Sequence, residues 1–361
     1  MIVCLMQKSL EYLNLEKISI ILPVYNAEKT VEKTILSIIK QKKITFELII
    51  INDGSNDGTS NILNKYSNNR NIKVFFQKNK GVSAARNKGI HEATGKYCFF
   101  IDSDDYLEED ALYKMLNLAE KHGLDLVCCS HEEFNSTSTG LANEQSTNKN
   151  IVMHSDYDVA KYYNLLFVQS ACAKLFSLKL IRKYKLYFDS KMNLGEDLNF
   201  TLNFLLYTTN IGYVGLATYY VNNINPFSLS KKYSDNLERD IEIQYNVWEK
   251  LISQNNYIEN EYKKNHIDFN VYLLKVYFGN LFRPDSPLSK KNKIAKINNM
   301  LAKHSSWIDT EKLKEVNSKK TIDKVSAKVI FTKNSLYIFF FFSLKEKLRR
   351  LKFFVGRKRR R

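Results

Sequence analysis

Between Ile18 and about Ser130 the chain alternates short β-branched and aromatic runs with stretches of helical periodicity. The runs Ile18–Leu22, Phe46–Ile51, Ile72–Phe76, Tyr97–Ile101 and Leu124–Cys128 read as strands. Between them, Ala27–Gln41, Asp57–Tyr66, Val82–Ala93 and Glu108–His122 read as helices. The strand runs are nearly continuous in apolar character, as strands covered on both faces must be. This pattern predicts an α/β fold with a mainly parallel central sheet flanked by helices. Open sheets of this kind bind ligands beyond the carboxyl ends of their strands. Asn52-Asp53-Gly54 and Asp102-Ser103-Asp104-Asp105 fall at such ends.

Beyond that region the organisation changes. Residues 135–150 are rich in Ser, Thr and Asn and read as a surface loop. Tyr157–Phe167 and Gly195–Tyr207 look helical, with strands expected at Ile211–Val214 and Thr218–Val221. From about Ser230 to Trp307 the pattern is helical. The expected division is an N-terminal extension (1–16), an α/β domain (17–225), a helical region (226–335) and an apolar, basic tail (336–361).

Charge sets the tail apart. The formal net charge is +17, and Lys345 to Arg361 alone carry ten basic residues against Glu346. An anionic surface touched by the tail follows more naturally than an evenly basic nucleic-acid interface. The closing Arg357-Lys-Arg-Arg-Arg361 has no base-stacking module beside it, so membrane phosphates are the expected partner and nucleic acid is not. Leu344, Leu348, Leu351 and Val355 recur at helical spacing between basic residues, which suits a helix in a membrane interface. The run Leu336–Phe342 is far shorter than the roughly 18 apolar residues of a membrane span. It could instead fill a core. Five cysteines without CxxC spacing argue against zinc or a disulfide framework and suit a reducing cytoplasm. The expected location is therefore cytoplasmic, peripheral to the inner face of the membrane, without a signal peptide.

Asp102, Asp104 and Asp105 crowd three carboxylates into four residues directly after an apolar strand. A bound cation would relieve their repulsion, and hard oxygen donors suit Mg²⁺ or Mn²⁺. A solvated acidic turn ahead of a helix is the alternative. Asp53 could accept hydrogen bonds from a base or ribose, or cap the turn at Gly54. Arg86, one turn into a short helix behind Gly81, could reach a diphosphate or be a surface arginine.

Taken together, Ile20-Ile-Leu-Pro-Val-Tyr-Asn26, Ile50-Ile-Asn-Asp-Gly-Ser-Asn-Asp-Gly58, Asn79-Lys-Gly-Val-Ser-Ala-Ala-Arg-Asn87 and Phe100-Ile-Asp-Ser-Asp-Asp-Tyr-Leu107 resemble the family 2 glycosyltransferases, which have the GT-A fold. The resemblance covers roughly residues 17–225. It implies that Pro23 and Tyr25 line a nucleotide pocket and that Asp53 binds the base, usually uracil. Arg86 would sit by the base or diphosphate. Asp102 and Ser103 would bind the nucleotide sugar, with Asp102 on ribose or metal-bound water and Asp104 ligating the metal. Ala173-Lys-Leu-Phe176 and Leu194-Gly-Glu-Asp197 resemble stretches of members that build bacterial surface polysaccharides, which implies a general base at Asp197 or its neighbour Glu196. At a helix N-terminus Asp197 is expected to stay ionised.

The implied reaction is an inverting transfer from a nucleotide sugar to a glycan or lipid-linked hydroxyl. Two rival readings have sequence tests. A nucleotidyltransferase would carry a Gly-rich phosphate loop after the first strand, where this chain has Pro23-Val-Tyr-Asn-Ala27. An inactive glycan- or membrane-binding scaffold would have no need of the intact acidic motifs.

Overall fold

The computed structural model describes residues 17–133, 149–155, 158–159, 170–222, 232–254, 259–308 and 321–358. The extension 1–16, almost all of the loop expected over 135–150, most of the helix expected at Tyr157–Phe167 and Arg359–Arg361 lie outside the described residues. The chain divides into two compact units, Met1–Asn225 and Pro226–Arg361.

The first unit is built on a nine-stranded sheet among the described residues. Its strands are β1 (Ile18–Val24), β2 (Phe46–Asn52), β3 (Ile72–Phe76), β4 (Tyr97–Phe100) and β5 (Tyr106–Leu107). They continue with β6 (Leu126–Glu133), β7 (Ile151–Met153), β8 (Lys174–Ser177) and β9 (Ile211–Val221). Spatial order is β3-β2-β1-β4-β8-β6-β9-β5, with β7 also beside β9. The half from β3 to β4 is wholly parallel. β8 enters antiparallel between β4 and β6, and β6 resumes parallel pairing with β9. The helices are α1 (Val31–Ile39), α2 (Thr59–Asn64), α3 (Val82–Glu92), α4 (Ala111–His122), α5 (Leu178–Lys183) and α6 (Glu196–Leu205).

β1 and β2 are almost entirely buried, which is why their centres, Ile20-Ile-Leu22 and Leu48-Ile-Ile-Ile51, are continuous Ile and Leu with no polar alternation. α3 packs against both. There Gly89 allows an unusually close approach, since a Cβ at this position would lie 2.3 Å from Ile21 Cγ2.

β5, β7 and α5 were not expected, α4 starts at Ala111 rather than Glu108, β6 runs on to Glu133, and four further elements differ from expectation. α1 begins at Val31 rather than Ala27, because the preceding backbone is tied to the loop after β2. Asn26 N–H donates to Ser55 Oγ at 3.0 Å, and Ala27 N–H to Thr59 Oγ1 at 2.9 Å. The two strands expected within 211–221 are one, β9. Its register against β6 slips between Cys129 and Ser130, so Val214 and Thr218 face successive partners, and Ser130 Oγ donates to the displaced Gly215 carbonyl at 2.9 Å. Lys174-Leu-Phe-Ser177 is a strand, although a fully buried lysine stands at its head. Finally, the run Leu336–Phe342 is divided between core and surface, as the second unit shows.

That unit is helical: α7 (Leu237–Ser253), α8 (Glu259–Leu281), α9 (Lys290–Lys303), α10 (Thr321–Phe331) and α11 (Ser335–Lys358). Buried Trp248 of α7 stacks on Phe269 of α8 at 4.5 Å. Ile338 and Phe342 of α11 are buried, and Phe342 meets Phe278 edge-on at 5.8 Å. The expected tail thus starts inside a helix whose first turns belong partly to the core. Among the described residues no helix is long and apolar enough to cross a membrane.

Candidate active site

The site lies where β2 and β4 end, beside the start of α3 and the start of α6. Asp53 follows β2, and its carboxylate is buried. It accepts Gln77 Nε2 and the Lys80 N–H on Oδ1, and the Gly81 N–H on Oδ2, each at 2.8 Å. Lys80 and Gly81 lead directly into α3, so Asp53 places a negative charge at that helix's N-terminus. Gly54 has φ +75, and a Cβ there would lie 2.7 Å from the Asn79 amide nitrogen. The second motif is therefore stitched to the third by backbone contacts that leave no room for a side chain.

Fixing the start of α3 aims Arg86. Its guanidinium is only 3% exposed and collects three carboxylates. One terminal nitrogen donates to Asp102 Oδ1 at 2.9 Å. The other donates to Glu196 Oε1 at 3.3 Å and makes a short contact with Asp197 Oδ1. The Nε of Arg86 is buried without an acceptor among the described residues. Below, the guanidinium lies 5.1 Å from the centre of the Phe188 ring. The side chain of Asn87, next to Arg86, clamps Phe188 reciprocally: its Nδ2 donates to the Phe188 carbonyl and its Oδ1 accepts the Phe188 N–H, both at 2.8 Å.

α6 is held down by aromatic packing. Phe200 stacks on Phe188 at 4.1 Å, while Phe176 of β8 meets Phe200 and Phe204 edge-on at 5.4 and 5.0 Å. With period-two alternation, Lys174 shares Phe176's face of β8. Its Nζ donates to the carbonyls of Ser170 at 2.7 Å and Cys172 at 3.3 Å, holding the turn in which Ala173 sits at φ +59. The Ala171 N–H of the same turn donates to Asp197 Oδ2 at 3.4 Å. Burial lowers the pKa of Lys174.

These surroundings set the protonation chemistry. For Arg86, burial alone would lower the pKa, but the charges of Asp197, Asp102 and Glu196 raise it well above its ordinary value. Asp197 is pushed up to about 7, by burial first, against the opposing pull of Arg86. The expectation that a helix N-terminus would keep Asp197 fully ionised does not hold, because loss of solvent outweighs the dipole. The result is a carboxyl group titrating near neutrality, as a general base requires.

The Asp102–Asp105 turn has its own support. Asp102 is 41% exposed, while Asp105 is buried. Tyr219 of β9 donates its hydroxyl to Asp105 Oδ2 at 2.6 Å and accepts the Asp102 N–H at 3.2 Å. Asp105 Oδ1 accepts the Asn222 N–H at 2.8 Å, and its carbonyl accepts Thr34 Oγ1 at 2.8 Å. Burial and the charge of Asp102 push Asp105 up to about 8, so it is a structural knot rather than an exposed ligand. Asp104 and Ser103 are partly buried at the tip of the same turn. Pro23 is buried in β1 opposite Ile51, and Tyr25, just beyond the strand, is exposed.

Comparison with known proteins decides what this arrangement belongs to. The family described as Glycosyl transferase family 2 matches residues 19–184. The putative glycosyltransferase EpsH of Bacillus subtilis (strain 168) is 30% identical over 255 residues, 68% of this chain and 72% of that protein. The chain belongs to glycosyl transferase family 2. TarP of Staphylococcus aureus (strain N315), a poly(ribitol-phosphate) beta-N-acetylglucosaminyltransferase, is 30% identical to this glycosyltransferase over 62% of the chain and 67% of TarP. The crystal structure of S. aureus TarS 1-349 in complex with UDP-GlcNAc superposes with a TM-score of 0.65 at 21% identity, covering 93% of this chain and 92% of that one. The glycosyltransferase therefore has the GT-A fold expected of it.

The structure brings Arg86, Asp102, Glu196 and Asp197 into one cluster, as three separate motifs did not reveal. Asp53 stands apart, holding the start of α3. Tyr219, Asn87 and Lys174 were not recognised as contributors. Tyr219 lies outside every quoted motif, and Asn87 and Lys174 lie inside motifs that assign them no role, so only their contacts identify them.

Proposed function

We propose that this glycosyltransferase inverts the anomeric centre of a uridine-diphosphate sugar as it passes the sugar to a hydroxyl of a bacterial cell-surface glycan or its lipid-linked precursor. The observation that carries this reading is the Asp197 carboxyl group, partly buried at the start of α6, titrating near neutrality and locked to Arg86 beside Asp102. Asp197 takes the proton of the acceptor hydroxyl. The acceptor oxygen forms its bond to the anomeric carbon as the bond from that carbon to the diphosphate breaks, and the electron pair leaves on the diphosphate. Arg86 orients the base and balances its charge. Glu196, sharing the same guanidinium nitrogen, adds negative charge that keeps Arg86 protonated. The complex of TarS with UDP-GlcNAc and the poly(ribitol-phosphate) and N-acetylglucosaminyl groups in TarP's name support a uridine nucleotide and a polymeric cell-surface acceptor.

A divalent cation, Mg²⁺ or Mn²⁺, fits the donor chemistry of Asp104 and Asp102, hard carboxylates two positions apart past a strand end. Among the described residues no three His, Cys, Asp or Glu side chains converge as a complete protein cage. Such an ion would therefore share its ligands with diphosphate and water, as Mg²⁺ commonly does. When bound it supplies charge neutralisation to the departing diphosphate.

The test is a panel of nucleotide sugars assayed with Asp197→Asn, Glu196→Gln and Asp104→Ala. Asp197→Asn should bind donor yet lose turnover by a factor on the order of a hundred or more. Asp104→Ala should lose metal-stimulated turnover. An active Asp197→Asn beside an inactive Glu196→Gln would move the base to Glu196. Full activity of Asp104→Ala in excess chelator would remove the metal from the reading.

A further inference from the structure

α11 has a face that its own core does not use. Ile338 and Phe342 point inward, and Phe339 meets Phe282 at 5.2 Å. On the other side Leu336, Phe340, Leu344 and Leu348 follow one another four residues apart, so they form one stripe along the helix. With Tyr337 they are between 49% and 62% exposed. Single exposed leucines are ordinary on a protein surface, but an aligned row over more than three turns marks an interaction surface.

The charge around the stripe says what covers it. Lys347 is exposed between Leu344 and Leu348, and Lys290 of α9 lies 5.8 Å from the ring centre of Phe340. The acidic residue of the helix, Glu346, is turned away from solvent and held by Arg349, whose Nε is 2.9 Å from Oε2. From Lys345 onward the sequence adds nine further basic residues. A second copy of the chain would set this cationic rim against itself. A nucleic acid would satisfy the charge but leave the leucines and Phe340 in water. An anionic lipid surface satisfies both, with apolar side chains in the acyl boundary and cations among the headgroups.

We propose that α11 lies flat on an anionic bilayer, inserting Leu336, Phe340, Leu344 and Leu348 and placing Lys347 at the phosphates, with the basic sequence that follows adding to the attraction. The stripe begins eight residues earlier than sequence spacing alone suggested, and it excludes half of the apolar run. Docking of this kind is independent of which donor or acceptor the enzyme uses.

The experiment is co-sedimentation of the full chain with vesicles of phosphatidylglycerol and phosphatidylcholine, or of phosphatidylcholine alone, at low and high salt. Neither donor nor acceptor is present, so the outcome does not depend on the transfer reaction. The comparison is with Leu344→Ser combined with Leu348→Ser, and separately with Lys347→Glu. These residues are exposed, and unchanged thermal unfolding confirms that the variants fold. The parent should bind the anionic vesicles, more weakly in high salt. The double variant should bind on the order of tenfold or more weakly, and Lys347→Glu severalfold more weakly. Equal binding by parent and double variant, equal binding to neutral vesicles, or no binding by the parent at low salt would overturn the proposal. So would a dimer in sedimentation velocity that the double variant dissolves, since a second copy would then cover the stripe.

Discussion

Replacing Arg86 by methionine tests the central claim that this arginine sets the protonation of Asp197. Methionine keeps much of the length and the contact with Phe188, but removes the charge shared by Asp102, Glu196 and Asp197. A charge pair at about 4 Å in a protein-like dielectric is worth about 4 kcal/mol, or roughly three pH units. Partial solvent access around the pair weakens this, so the realised shift is smaller, about one to two units. Asp197 already titrates at about 7, with burial raising and Arg86 lowering its pKa. Loss of Arg86 therefore moves it upward. A general base works only unprotonated, so the acid limb of kcat/KM should move to higher pH by that amount. At neutral pH the variant should lose about fivefold to fiftyfold in kcat/KM, and recover much of it in alkaline buffer.

Stability supplies a second readout from the same substitution. Removing one partner of a buried ion pair costs about 3–5 kcal/mol. Asp197's pKa in the fold lies above its ordinary 3.8, so ionising it weakens the folded state as pH rises from there to about 7. The melting deficit of Arg86→Met should accordingly be largest above neutrality and shrink in acid, where Asp197 holds a proton. The assays are kcat/KM against pH and thermal unfolding at several pH values, with Asp197→Asn as the comparison whose activity stays low throughout. An unmoved acid limb with activity lost equally at every pH would refute the reasoning, and would place Arg86 on the donor instead.

Three other outcomes follow from the packing and charge. Gly89→Ala gains about 1 kcal/mol of helix propensity but forces a Cβ to 2.3 Å from buried Ile21, and overpacking costs about 1–3 kcal/mol; a lower melting temperature is expected, and a higher one would show that β1 yields freely. Glu47 is buried, and hydrogen bonds from Lys73, Ser19 and Thr94 overcome the opposing effect of burial to hold its pKa at about 2. Its stabilisation is present above pH 4.5 and disappears as pH falls from there to about 2. After discounting for screening around half-exposed Lys17 and Lys73 it is worth at most about 3 kcal/mol, so Glu47→Gln should flatten the acid limb of the stability curve, and an unchanged limb would contradict the assignment. Tyr219→Phe strips a partner from the Asp102 N–H and from Asp105, at about 1–3 kcal/mol; donor affinity measured by calorimetry should weaken, while equal affinity would make the tyrosine irrelevant to the turn.

What the sequence revealed about this fold, and what it concealed, divides by distance along the chain. The parallel half of the sheet was legible because burial on both faces writes itself into each strand as an unbroken apolar run, as in Leu48-Ile-Ile-Ile51. The acidic turn at Asp102 was legible because its three carboxylates are close neighbours in sequence. β8 was not recognised as a strand, because Lys174 breaks the apolar pattern even though it is fully buried and spends its charge on two carbonyls. β9 looked like two strands because its register slips after Val214. The deeper gap concerns what each chemical residue touches. Arg86 and Asp197 are 111 positions apart, and Asp105 and Tyr219 are 114 apart. No local propensity couples such positions; only closure of the sheet does. Asp53 shows the consequence, since the same aspartate that could face a base spends its oxygens on Gln77, Lys80 and Gly81, and so fixes the helix that carries Arg86. Each motif thus contributes less as an isolated ligand than as an anchor for the next, which is why the residues act as a set. A substitution at Asp53 should then disturb the Arg86 cluster as well as any nucleotide it meets.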